Sequence, residues 1–166
     1  MSDVPDAPHR RVEIHEFGPD DPALPAVAGF LHAEWGRARG WSFAHAVERL
    51  AAIGRSGSEA AFLARPADDR EQALGAALLV ENDLPELVSF GPWLSSLYVR
   101  PDRRGEGVGG RLIETVLDRA ARRAVGALYL YAPGEGLPDF YARWGFRKVT
   151  PFSRDGVDYW IMRRPL

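Results

Sequence analysis

The chain of 166 residues contains no cysteine, which removes a disulfide framework, thiolate catalysis and any zinc centre with cysteine ligands. Lysine is almost as scarce: Lys148 is the only one, so arginine supplies nearly the whole cationic inventory. Neither sign of charge is in excess, because 21 basic side chains stand against 23 acidic ones and the formal net charge is −2. No global field steers such a chain to nucleic acid or an anionic membrane, and any anion site has to be local. Eighteen apolar residues never run together, so the sequence offers no helical membrane span. The four histidines, His9, His15, His32 and His45, show no tight ligand spacing, and no metal is expected.

Hydrophobic residues at 46% and charged residues at 27% are a globular composition. Residues 1–9 are polar and rich in Asp and Pro and lack the blocks of a secretory signal; they are expected to form a disordered tail. Residues 10–166 are expected to fold as one domain in the cytoplasm.

The periodicity predicts a β-α-α-β-β-β-α-β-α-β-β order. Val12, Ile14 and Phe17 alternate with charged residues as in a strand with one buried face. Ala23 to Arg39 carries Leu24, Val27, Ala28, Leu31 and Trp35 at helical spacing, and a second helix starts at the cap Ser42 and breaks at Gly54. Glu59–Arg65 and Ala73–Val80 read as a hairpin, and Trp93–Val99 as a strand stopped by Pro101. Arg111–Val125 is an amphipathic helix ended by Gly126, and Leu128–Ala132 a buried strand. A short helix over Pro138–Trp144 and strands at Phe146–Val149 and Val157–Met162 complete an α/β chain with a mixed sheet flanked by helices.

The segment Tyr98-Val99-Arg100-Pro101-Asp102-Arg103-Arg104-Gly105-Glu106-Gly107-Val108-Gly109-Gly110-Arg111 joins a strand to the strongest helix through four glycines. Amides at a helix start carry partial positive charge, and glycine lets backbone approach a phosphate closely. Gly105 to Gly110 satisfies the dinucleotide pattern G-x-G-x-x-G, but charged residues and a proline separate it from its strand and the next strand ends without an acid. A nucleoside-triphosphate loop would need Gly-Lys-Ser or Gly-Lys-Thr, which is missing.

Arg104, Gly107 and Gly109 meet the pattern Arg or Gln, x-x-Gly-x-Gly or Ala, and Phe140-Tyr141-Ala142-Arg143-Trp144-Gly145-Phe146 follows in the form F-Y-x-x-x-G-F. In these two motifs the chain resembles the GNAT superfamily of N-acetyltransferases. The resemblance implies a central, mostly antiparallel twisted sheet and an acyltransferase moving an acetyl group from acetyl-CoA to a primary amine by direct attack in a ternary complex. It implies that Arg104, Gly105, Glu106, Gly107, Val108, Gly109 and Gly110 hold the pyrophosphate, that Leu97, Tyr98 and Val99 pair with the pantetheine arm, and that Tyr141 protonates the departing thiolate. Phe140 and Trp144, four apart, share a face and are expected to be buried anchors.

A base for the amine is not singled out: Glu34, His32, Glu81, Asp83 and Glu86 are all candidates. Glu34, Trp35 and Glu86 are the expected acceptor contacts, with Trp41 a further wall candidate. Small amines are expected in preference to protein, nucleic acid and membrane are not expected as partners, and the resemblance allows a homodimer. Two other classes stay open, a coenzyme A-binding module without catalysis and a dinucleotide-dependent oxidoreductase.

Overall fold

Ala60, Phe62 and Ala64 face one side of their strand while Ala61 and Leu63 face the other, and all five are buried. A strand covered on both faces reads as a continuous apolar run, and this one is central to a sheet sandwiched between helices. The computed structural model describes residues 11–166; the tail expected at residues 1–9 lies outside them. The elements are β1 (Val12–Phe17), α1 (Leu24–Leu31), α2 (Phe43–Arg55), β2 (Ala60–Pro66), β3 (Gly75–Val80), β4 (Trp93–Val99), α3 (Val108–Arg122), β5 (Ala127–Pro133), α4 (Gly136–Ala142), β6 (Arg147–Arg154) and β7 (Val157–Pro165).

Their order is the one the periodicity predicts. The seven strands form one sheet in the order β1-β2-β3-β4-β5-β7-β6. Every neighbouring pair is antiparallel except β4 and β5, which α3 connects as a crossover. One core layer packs α1 and α2 on the sheet through Leu24, Val27, Leu50 and Ile53, and the other packs α3 through Leu112, Ile113 and Val116.

Several boundaries differ from expectation for local reasons. The helix expected over Ala23–Arg39 is α-helical only to Leu31 and then widens into a π-turn at His32–Gly36, closed by the Arg37 amide donating to the His32 carbonyl at 2.9 Å. Such a bulge re-aims the side chains it carries. Gly54 does not break α2; it is the contact point with Gly18, whose Cα lies 2.8 Å from where a Cβ would stand. Helix α3 starts three residues before Arg111, so Gly109 and Gly110 lie in its first turn, and it stops at Arg122 rather than at Gly126. Strands β6 and β7 run to Arg154 and Pro165, beyond the expected ends, around a turn at Asp155-Gly156 with φ of 52° and 76°. Short helix α4 lies two residues earlier than expected.

Candidate active site

The site is built where the sheet comes apart. Ser96 in β4 has φ of 52°, and the register with β3 slips there, from Leu78 opposite Ser95 to Ala76 opposite Tyr98. One extra residue bends a strand and increases its twist. Beyond this bulge β4 turns away from β5, and the two strands pair only at Trp93 and Tyr129. The gap is a cavity of about 840 Å³ between Leu94–Val99 of β4 and Leu130–Pro133 of β5, with the glycine loop at one end and α4 along one wall.

At the loop end, Gly107 caps α3 with φ of 79° and no side-chain cap, and the first helical bond is the Arg111 amide to the Gly107 carbonyl at 3.1 Å. The amides of Val108, Gly109 and Gly110 are therefore the orphan donors of a helix start. No atom lies within 4 Å of the point where a Cβ would sit on Gly105 or Gly107, and Gly109 has only a Val99 methyl at 3.6 Å. A diphosphate can thus approach bare backbone, and the residues present fit coenzyme A. Arg104 lines the cavity, donates from Nε to the Val99 carbonyl at 3.0 Å and lies 6.0 Å above the Tyr98 ring.

Of the expected cofactor contacts, Leu97, Tyr98, Val99, Arg104, Gly105, Gly107, Val108, Gly109 and Gly110 all border the cavity. Glu106 does not, because its carboxylate turns back to Arg103 at 2.8 Å. Phe140 and Trp144 do share a face, 4.8 Å apart, but that face is a cavity wall and both are only half-buried; Pro138 and Phe146 are the residues of this segment sunk in the core. Tyr141 also lines the cavity, and burial pushes its phenol up to about 12.

Five residues compete for the base, and the fold divides them. Glu34 and Asp83 line the cavity. His32 is occupied with the Trp41 carbonyl through Nε2 at 3.0 Å, Glu81 is paired with Arg123, and Glu86 faces Arg154 at 3.7 Å; all three lie outside it. Among the expected acceptor contacts, Trp35 lines the cavity with Glu34, whereas Glu86 and Trp41 do not. Burial raises the Asp83 carboxyl above its usual range, offset in part by hydrogen bonding to Ser95, the guanidinium groups of Arg39 and Arg49, and the Tyr131 hydroxyl.

Sequence reasoning missed Ser95, Tyr131, Arg39 and Tyr159 as cavity residues. The available signal was a polar Ser95-Ser96 pair inside an otherwise apolar strand, and an aromatic Tyr131 inside a strand expected to be wholly buried.

The family model of the acetyltransferase (GNAT) domain matches residues 59–148, more than half of the chain and the stretch from β2 to the start of β6. The chain belongs to the GNAT acetyltransferase family. No curated protein matches it. Among solved structures it is similar to an acyl-CoA N-acyltransferase from Pseudomonas aeruginosa, at 20% identity and a TM-score of 0.68 over 93% of this chain and 99% of that one. A GNAT-family acetyltransferase from Streptococcus pneumoniae superposes with a TM-score of 0.70 at 16% identity, over 94% and 99% of the two chains. An aminoglycoside 6'-N-acetyltransferase complexed with coenzyme A gives 0.68 at 17% identity, over 92% and 96%. At these identities the likeness establishes the fold, a GNAT mixed sheet flanked by helices. Among the described residues no helix is long and apolar enough to cross a membrane.

Proposed function

We propose that this GNAT protein transfers an acetyl group from acetyl-CoA to a small primary amine, with both substrates bound together in the β4/β5 cavity. The observation that carries the reading is the splay of β4 from β5 beside an α3 start with no side-chain cap, because it supplies one continuous surface for a diphosphate and a flexible amide-bearing arm.

Acetyl-CoA supplies an activated acyl group as a thioester. The amides of Val108, Gly109 and Gly110 hold the pyrophosphate with Arg104 beside them, where the α3 dipole favours negative charge. The backbone of Leu97, Tyr98 and Val99, unpaired with β5, aligns the pantetheine amides as an added strand and offers an N–H to the carbonyl oxygen as it gains charge. Tyr141, protonated throughout the working pH range, directs its hydroxyl at the departing sulfur.

A covalent enzyme intermediate is not required, because the thioester is already an activated acyl group. The chain has no cysteine, no described histidine borders the cavity, and the Ser95 hydroxyl lies 3.2 Å from that of Ser96. Direct attack by the amine is the route these residues support.

The test pairs a thiol-release assay, run with acetyl-CoA against an aliphatic diamine, amino acids and an aminoglycoside, with calorimetry of acetyl-CoA and NADH in parallel. Thiol release with at least one amine and heat from acetyl-CoA alone are expected. Binding of NADH in its place would return the chain to the dinucleotide class, and acetyl-CoA binding without turnover to a coenzyme A-binding module.

A further inference from the structure

The inner end of the cavity contains a small polar network that the transfer reading does not itself assign. Asp83, in the turn after β3, lines the cavity together with Ser95 of β4 and Tyr131 of β5, and both hydroxyls favour its charged form. The Tyr131 hydroxyl in turn accepts from Arg39 Nη2 at 2.9 Å. Arg39 sits just beyond the π-turn, on the segment that also brings Glu34 and Trp35 to the cavity, and stacks 5.3 Å from the Trp41 ring. It makes no ion pair with a described carboxylate, and from its exposed position it favours the charged form of Asp83.

We propose that Asp83 is the proton acceptor for the incoming ammonium group and that Arg39, tethered through Tyr131, is the positioning residue that sets the pH range in which Asp83 works. This rests on the acetyl-transfer reading. Asp83 and Glu34 are the two acids bordering the cavity, and Glu34 is exposed on the π-turn whereas Asp83 stands at the splay, where the acyl carbon has to lie if the arm follows β4.

The step balances as follows. The ammonium gives one proton to the Asp83 carboxylate, and the freed nitrogen pair forms the C–N bond while the C–S bond breaks with its pair on sulfur. Tyr141 protonates that sulfur and is restored by the second nitrogen proton, and Asp83 releases its own proton to water. One proton is released per turnover.

The groups facing Asp83 make the pH dependence specific. Arg39 and Arg49 from the helical side and the Tyr131 hydroxyl from β5 all favour its charged form against burial, and Arg154 stands near Tyr131. Removing Arg39 takes away one of these stabilising influences, so the Asp83 carboxyl moves upward and the acid limb of the rate profile moves with it.

The experiment measures kcat/KM against pH for the wild type, Asp83→Asn and Arg39→Gln, with the best amine of the panel and with hydroxylamine, which is already neutral at pH 7. Acetyl-CoA binding is followed by calorimetry in each. Expected are a loss of about 100-fold or more in D83N with the alkylamine, a much smaller loss with hydroxylamine, unchanged acetyl-CoA affinity, and an acid limb displaced to higher pH in R39Q. A D83N enzyme as active as wild type, equal losses with both nucleophiles, or an unmoved limb in R39Q overturns the proposal while leaving acetyl transfer intact. A wild type that binds acetyl-CoA and acetylates no amine overturns acetyl transfer, and this step with it.

Discussion

The Trp144 indole lies over Gly110 so closely that a Cβ on that glycine would come 2.7 Å from Cζ2 of the ring. The ring cannot swing aside freely. It packs on Phe140 at 4.8 Å and carries the Arg143 guanidinium at 5.3 Å, and the Trp144 backbone carbonyl accepts from Arg164 Nη1 at 2.8 Å. Gly110 thus couples the first turn of α3 to the segment just after α4, so that the proposed phosphate cradle and Tyr141 are held in one frame.

Gly110→Ala is expected to cost about 1–3 kcal/mol by overpacking, seen as a Tm lowered by about 2–4 °C for each kcal/mol in a chain of this size. Acetyl-CoA affinity falls with it. The check is a double-mutant cycle with Trp144→Ala: the glycine substitution becomes nearly neutral once the ring is removed. Equal costs in both backgrounds would show that the contact does not constrain the loop.

Gly107 and Gly109 separate stability from binding. Gly107 holds φ of 79° with open space around it, so Gly107→Ala meets no clash and costs about 1–2 kcal/mol through the left-handed backbone alone. Gly109 is helical, and alanine there gains up to about 1 kcal/mol of helix propensity. Its new methyl, however, meets Val99 in ordinary contact at 3.6 Å on a residue that borders the cavity. G109A is therefore expected to match or exceed the wild-type Tm while binding acetyl-CoA about tenfold more weakly, a single 1.4 kcal/mol loss at the phosphate. Thermal denaturation and calorimetry on the same samples read both, and a G109A protein that binds normally would move the pyrophosphate away from this turn.

Tyr141→Phe is expected to lower kcat about 100-fold with little change in acetyl-CoA affinity, since the ring stays and only the proton donor is lost. Burial holds the phenol near 12, above its ordinary 10.0. Deprotonation abolishes a donor, so activity controlled by Tyr141 is retained until the pH approaches 12 and shows no falling alkaline limb below about pH 10. A wild-type limb near pH 8 that disappears in Y141F would assign the phenol a far lower value than its surroundings dictate.

Local signals carried the fold and half of the site. Strand β4 matches its expected span because Pro101 follows it and apolar residues fill it, and the glycine loop is conspicuous because four glycines and two arginines concentrate at one helix start. The Ser95-Ser96 pair marked a polar spot in β4 but not the bulge itself: the φ of 52° at Ser96 accompanies a register slip against β3, some twenty residues away along the chain. Helical spacing put Phe140 and Trp144 on one face, yet periodicity cannot say whether that face meets core or cavity. Asp83 was one acid among several until β5 delivered Tyr131 and the π-turn delivered Arg39, both far from it along the chain.

The same carboxyl gives a stability prediction of opposite sign to its effect on activity. Asp83 has a folded-state pKa raised above the usual 3.8, chiefly by burial, so the folded protein holds this proton more tightly than the unfolded chain. Stability from this group is greatest below 3.8 and declines as the pH rises through the interval up to the folded value, above which the decline is complete. Asparagine has no charge to bury and escapes the decline. Asp83→Asn is therefore expected to raise the Tm at pH 7, with the gain shrinking as the pH is lowered toward 4, while acetyl transfer to an alkylamine collapses. Paired denaturation curves for wild type and D83N across that interval check the sign. A variant destabilised at pH 7 would mean that the ionised carboxylate bonds to Ser95, Tyr131 and Arg39 strongly enough to outweigh its burial.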